Sequence, residues 1–244
     1  VTKKKGLARC GAAVMRMVAS ALFRPRCRLC GLDLVQPGEK VICADCRQKL
    51  RPAAENRCRT CGRFIPDAVE RCGACRLQAP PFQRHGSYAA YEGTLREVII
   101  LYKYGEVEPL KIMLAALCLE TLARELPGPF DAVVPVPADR CRRHGFMPVQ
   151  AMARVLAREL KTGFRPRLLR KIRSTRPQVG LSRAQREKNL DGAFILAQGK
   201  KLAGKRILLV DDVITTGTTI RSCAALLSRR GARVTAVTLA QSRF

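Results

Sequence analysis

The stretch RILLVDDVITTGTTI, residues 206–220, sets an apolar run against two adjacent carboxylates, four threonines and a glycine. Ile207 to Val210 carry no polar side chain, the pattern of a strand covered on both faces. In a parallel sheet ligands bind where the carboxyl ends of strands lead into helices, so Asp211 and Asp212 are expected at such an edge. TTGTT then turns the chain into the helix IRSCAALLSRR (220–230), whose first N–H groups and dipole favour an anion. Gly217 lets the backbone approach a phosphate closely, and Thr215, Thr216, Thr218 and Thr219 add hydroxyl donors. Two carboxylates beside a phosphate cradle repel the phosphate unless they hold a metal or a hydrogen-bond donor. Ribose hydroxyls are such donors, so the pattern suits a ribose carrying a 5′-phosphate.

The surrounding sequence supplies the sheet. SYAAY (87–91), DAVVPVP (131–137), AFIL (193–196), RILLV (206–210) and ARVTAVTLA (232–240) read as strands. TLREVIILYKY (94–104), LKIMLAALCLETLAREL (110–126), MPVQAMARVLAREL (147–160) and residues 218–230 read as helices. Strands alternating with helices imply an α/β fold, a mostly parallel sheet with helices on its faces. Two other phosphate chemistries fit less well. GKKLAGKR (199–206) spells most of a phosphate loop, but Arg206 stands where Ser or Thr is needed and its glycines precede a strand. A receiver-type acidic pocket would need further acidic and lysine positions, and would not call for TTGTT.

Upstream, cysteines come in four CxxC pairs: Cys27/Cys30, Cys43/Cys46, Cys58/Cys61 and Cys72/Cys75. A CxxC turn converges two thiolates on one ion, and two turns close a tetrahedral site, so four turns read as two structural zinc sites. An iron–sulfur cluster is the main rival. Spacing favours sequential pairing, first pair with second and third with fourth, with the cross-braced arrangement as the alternative. Eight thiolates and two zinc ions leave the chain at about +23, because 46 Lys and Arg face 19 Asp and Glu, a formal charge of +27. Such a surplus suits nucleic acid or a phosphorylated ligand, and a merely soluble basic surface is the competing account. Arg57, Arg59, Arg63, Arg71 and Arg76 cluster about the last two pairs, where phosphate contact, a solvated face and protein docking all compete.

RLQAPPFQRHG closes the cysteine-rich part, since Pro80 and Pro81 extend no element. The expected organisation is an amphipathic N-terminal helix over 1–25, a double zinc ribbon over 26–80 and the α/β domain over 81–244. Arg9 and Arg16 divide the apolar part of the first segment into runs too short for the roughly 20 residues a span requires. The chain therefore reads as cytoplasmic with reduced thiols, the first helix packing on its own protein or touching a membrane surface.

VDDVITTGTT resembles the phosphoribosyl pyrophosphate signature of type I phosphoribosyltransferases. The likeness extends further: the four CxxC pairs, YEGTLREVIILYKYG (91–105), DAVVPVPADRCRRHGFMPVQAMA (131–153) and STRPQVGLSRAQREKNLDGAF (174–194) are similar, in order, to blocks of the ComF-type family, also called competence protein F or GntX-like. That resemblance implies a double zinc ribbon fused to a type I phosphoribosyltransferase domain. By it, Asp211 and Asp212 would be catalytic and hold the ribose, and Thr215, Thr216, Gly217, Thr218 and Thr219 the 5′-phosphate. Arg140 and Arg143, with Arg142, fall where pyrophosphate binds. Arg183 and Arg186, with Gln178, fall in a mobile loop that would close over the site and exclude water from a developing oxocarbenium centre. The chain departs from the family pattern at His144, where an acid is usual, and at Met147, where Asn is usual. The resemblance implies phosphoribosyl pyrophosphate with Mg²⁺ as ligand and a role in DNA uptake, with single-stranded DNA and other uptake proteins as partners. An active transferase that moves the phosphoribosyl group to an unidentified acceptor is the alternative.

Overall fold

The computed structural model describes residues 25–36, 39–138, 145–173, 192–197 and 201–243. The chain divides into two compact units, residues 1–50 and 51–244. Among the described residues no helix is long and apolar enough to cross a membrane.

The smaller unit holds one cysteine knuckle. Arg26 and Asp33 form an antiparallel bridge, and Gly31, at φ +76°, closes the turn by donating its N–H to the Cys27 carbonyl at 2.9 Å. Only a residue that enters the left-handed region without penalty suits this corner. The short helix α1 (Ala44–Gln48) starts at Cys43, and the Glu39 carboxylate accepts the Ala44 N–H at 2.6 Å.

The larger unit begins with a second knuckle built the same way, Arg57 bridging Phe64 and Gly62 donating to the Cys58 carbonyl at 2.8 Å. Cys72 starts α2 (Gly73–Leu77). This knuckle shares its core with the sheet: Cys58, Cys61, Cys72 and Cys75 are buried in one cluster with Leu209, Leu227 and Val234. The His85 N–H also donates to the Thr60 carbonyl at 2.8 Å.

The sheet itself has five strands, all parallel, in the order β1 (Arg84–Ala90), β7 (Arg233–Gln241), β6 (Arg206–Ile214), β2 (Ala132–Pro135) and β3 (Gly163–Phe164). Helices α3 (Gly93–Lys103), α4 (Leu110–Glu125), α5 (Pro148–Glu159) and α6 (Thr218–Ser228) make the crossovers. A parallel sheet of this kind must be covered on both faces, and Leu208, Leu209 and Val210 are fully buried. A separate antiparallel pair, β4 (Leu169–Lys171) with β5 (Phe194–Leu196), stands beside the sheet. The α/β reading of the sequence is therefore realised. One detail differs: β6 continues through both aspartates to Ile214, because the nine-residue β7 pairs with it as far as Gln241. The acidic pair is the tail of the strand and does not follow it.

Candidate functional site

Because side chains alternate along a strand, the two aspartates of β6 differ: Asp212 is buried and Asp211 half-buried. Each is fixed by a neighbouring amide, Asp211 Oδ1 accepting the Asp212 N–H at 2.9 Å and Asp212 Oδ1 accepting the Val213 N–H at 2.8 Å. Both line a cleft of about 440 Å³ at the carboxyl edge of the sheet, walled by the end of β2, the start of α5 and the basic segment Arg167 to Lys171. Loss of hydration and then the Asp212 charge push the Asp211 carboxyl up to about 7, with Lys103 and the amide of Asp212 pulling the other way.

Lys103 is the site residue that sequence reading missed. It ends α3, and its Nζ lies 2.7 Å from Asp212 Oδ2. Burial works against the ammonium charge, but Asp212 and then Asp211 outweigh it and hold the pKa above the ordinary lysine value. Its signal was present in YKYG, a basic residue closing the apolar stretch Val98 to Tyr102. Its carboxylate partner sits on β6, far along the chain, which local pattern cannot reveal.

The loop expected to cradle a phosphate follows the aspartates. Gly217 caps α6 in the left-handed region, φ +79°, and a Cβ there would meet Ile214 Cδ1 at 3.3 Å. Thr216 and Thr218 bring their hydroxyls within 2.9 Å of each other, and Thr219 lines the cleft. The N–H groups of the first turn of α6 have no carbonyl within the helix to serve, the usual condition of an anion site. The structure thus brings Asp211, Asp212 and the Thr215–Thr219 loop to one sheet edge. Arg140, Arg142, Arg143, His144, Gln178, Arg183 and Arg186 lie outside the described residues. Met147 is described, at the start of α5 and on the cleft wall.

The cysteines form two tetrads, Cys27/Cys30/Cys43/Cys46 and Cys58/Cys61/Cys72/Cys75, each with its four Sγ atoms within 4.8 Å of one another. That is the sequential pairing. Four convergent thiols, with no fifth ligand among the described residues, fit a closed structural zinc site. Each knuckle also aims backbone N–H groups at its first sulfur. Burial opposes ionisation of Cys27, but the amides of Cys30, Cys43 and Leu29 bring it down to about 6. At Cys58 the same opposition is overcome by the amides of Cys61, Cys72 and Thr60, again to about 6. Bound zinc would tie the two halves of each tetrad together, so that metal binding contributes directly to folding.

Arg57 and Arg59, two of the five arginines around the second knuckle, are engaged within the protein. Arg57 turns inward: its guanidinium donates to the carbonyls of Ser87 and, at 3.2 Å, Tyr88, lies 3.7 Å from Glu125 and stacks 5.3 Å from the Phe64 ring centroid. Arg59 pairs with Glu70 at 2.8 Å. Of the competing accounts of this cluster, phosphate contact is the one that the geometry disfavours at Arg57, whose guanidinium is turned toward two carbonyls and a carboxylate.

Comparison with known proteins agrees with this anatomy. The model of the phosphoribosyl transferase domain matches residues 103–243, and that of the double zinc ribbon domain matches residues 18–76. The chain belongs to the ComF-type family, in which a double zinc ribbon precedes a phosphoribosyl transferase domain. It is 31% identical to the DNA utilization protein YhgH of Escherichia coli K12 over 84% of this chain and 92% of that protein. It is 30% identical to competence protein F of Haemophilus influenzae, over 78% and 91%, and 25% identical to competence protein ComFC of Streptococcus pneumoniae, over 85% and 96%. Among solved structures, a hypoxanthine phosphoribosyltransferase from Staphylococcus aureus is similar at 19% identity and a TM-score of 0.35, over 55% of this chain and 64% of that one.

Proposed function

We propose that this protein binds phosphoribosyl pyrophosphate at the β6–α6 edge and acts in DNA uptake by handling single-stranded DNA in the cytoplasm. The observation that carries the reading is the meeting of a carboxylate pair with a helix N-terminus across one glycine. Asp211 and Asp212 accept the ribose 2′ and 3′ hydroxyls, and the Thr215–Thr219 loop holds the 5′-phosphate by its amides and hydroxyls. Lys103 neutralises Asp212 before ligand arrives and is placed to follow the anionic end of the ligand afterwards. Mg²⁺ enters with the pyrophosphate, as part of the ligand. The DNA role is supported by the names of the relatives and by the +27 charge. With no Trp and 5% aromatic residues, strand contact is expected to be mostly electrostatic.

Calorimetry tests the site. Phosphoribosyl pyrophosphate with Mg²⁺ should bind the wild type, and Asp211→Asn with Asp212→Asn should weaken it by about 2 kcal/mol or more, the scale of lost charge-assisted hydrogen bonds. Ribose 5-phosphate should compete. Equal affinity in the double variant would remove the assignment, and pyrophosphate release on adding an amine or base would establish turnover in place of binding alone.

A further inference from the structure

A second cavity, of about 680 Å³, lies toward the amino ends of β2 and β6. Ile207 in its wall is separated from Asp211 by about 13 Å of strand. Pro166 and Arg167 are common to its wall and that of the acidic cleft. Its character is the reverse of the acidic site. Arg165, Arg167, Lys201 and Lys205 line it, against the single acid Asp131. That acid is already committed: its carboxylate accepts Arg206 Nη2 at 2.8 Å, Nε at 3.2 Å and the Arg206 amide at 2.8 Å. Among the described residues none of the four cations closes an ion pair. All four are exposed, so their charge is held at the rim. Below the rim the walls are apolar, with the Phe164 ring, Leu168, Leu202 and Ile207. Lys201 and Lys205 belong to GKKLAGKR, the basic run that makes no nucleotide-hydrolase loop.

A cavity of this size falls within the range of small-molecule sites, about 300–1,000 Å³. An inorganic anion would use only the rim, and an apolar ligand only the walls. We infer that the cavity is a second anion site which takes a nucleotide, its phosphate on Lys201, Lys205 and the two arginines and its base against the apolar wall. The nucleotide can be free or a link in a single strand, and the chemistry of recognition is the same. This inference stands on the cavity and not on the ribose reading of β6.

The test uses the full chain with three probes: inorganic phosphate, thymidine 5′-monophosphate and a fluorescein-labelled twelve-residue oligothymidylate. Lys201→Glu with Lys205→Glu should weaken the nucleotide, the strand or both at least tenfold. A strand effect should be accompanied by a fall in salt slope of about 1.4, two phosphate contacts at about 0.7 each. The control pair Arg47→Glu with Lys49→Glu removes the same charge at exposed positions of the smaller unit and should change either affinity less than threefold. Ala197→Phe, which fills the wall without altering charge, should weaken the nucleotide and spare inorganic phosphate. A response to the monophosphate identifies a free-nucleotide site, and a response to the oligomer alone identifies a strand site. The inference is overturned if neither organic probe binds, or if the control pair weakens them as much as the Lys201/Lys205 pair. Phosphoribosyl pyrophosphate binding, measured on the same variants, should persist, so failure here and failure at Asp211 remain distinguishable.

Discussion

Asp211→Asn should make the ligand-free protein more stable at neutral pH, although it damages the site. The side chain keeps its shape, and an amide oxygen can still accept the Asp212 N–H that Asp211 Oδ1 accepts at 2.9 Å. What disappears is a carboxylate held in the cleft, chiefly by burial and then by Asp212, at a pKa of about 7 against an ordinary 3.8. A folded pKa above the unfolded one means that the native state binds more protons between the two, so stability is fully present below about 4 and declines until about 7. Each unit is worth about 1.4 kcal/mol, which bounds the full effect near 4 kcal/mol. Because Asp212 shares the titration and the cleft admits water, about half, roughly 2 kcal/mol, is expected. Urea unfolding monitored from pH 5.5 to 8.5, with zinc present and without Mg²⁺ or ligand, reads it. The variant should lead the wild type by about 1 kcal/mol at pH 5.5 and about 2 kcal/mol from pH 7.5 upward. A variant less stable than wild type at pH 8, or a difference that does not grow between pH 5.5 and 7, would refute the burial of charge at this position.

Two further outcomes follow from the same geometry. Metal analysis of the full chain should find two zinc ions, and Cys58→Ser with Cys61→Ser should lower the melting temperature of the parallel sheet as well as releasing one ion, because these sulfurs are buried with Leu209 and Val234; sheet melting unchanged by that pair would contradict the shared core. Arg57→Ala should destabilise the larger unit by about 2–3 kcal/mol through the carbonyls it leaves unserved, while leaving the salt slope of strand binding within 0.3 of wild type, as urea unfolding and a salt series will read.

How much of this was legible in the sequence depends on the range of the interactions. The β6–α6–β7 unit was legible because an apolar run, a glycine corner and a helix stop are local signals, and the strand is buried whatever its neighbours. The cysteine tetrads were legible for the same reason, and their pairing followed the shorter spacing. Strands β3 and β4 were not, since two or three residues such as Leu169, Arg170 and Lys171 carry no periodicity of their own and exist only by pairing with β2 and β5. The length of β6 was set by β7, beyond any local window. Arg57 and Lys103 were misjudged or missed for a common reason: a basic side chain looks alike in sequence whether solvent or a distant carboxylate and carbonyl receive it.

His85 shows the same point and supplies the last prediction. It is 3% exposed, on β1, and joins the second knuckle to the sheet. Its Nδ1 lies 2.9 Å from the Cys61 carbonyl and its Nε2 lies 3.1 Å from Thr238 Oγ1, with Ser87 Oγ at 3.4 Å. A carbonyl oxygen can only accept, so Nδ1 carries the proton. The hydroxyls can donate, so Nε2 is the bare nitrogen and the ring is neutral. Burial, against the help of the Cys61 carbonyl, lowers its pKa to about 4. A folded pKa below the unfolded 6.5 makes the contribution to stability complete above pH 6.5 and lost as pH falls toward 4, up to about 3 kcal/mol in all. The chain has only two histidines, so His144→Asn leaves a single imidazole for nitrogen-15 NMR. That signal should show the Nδ1–H tautomer and hold its shifts from pH 8 down to pH 5.5. A titration centred near 6.5 would mean that the imidazole meets water, and that the second knuckle is not fastened to β1 and β7 through this ring.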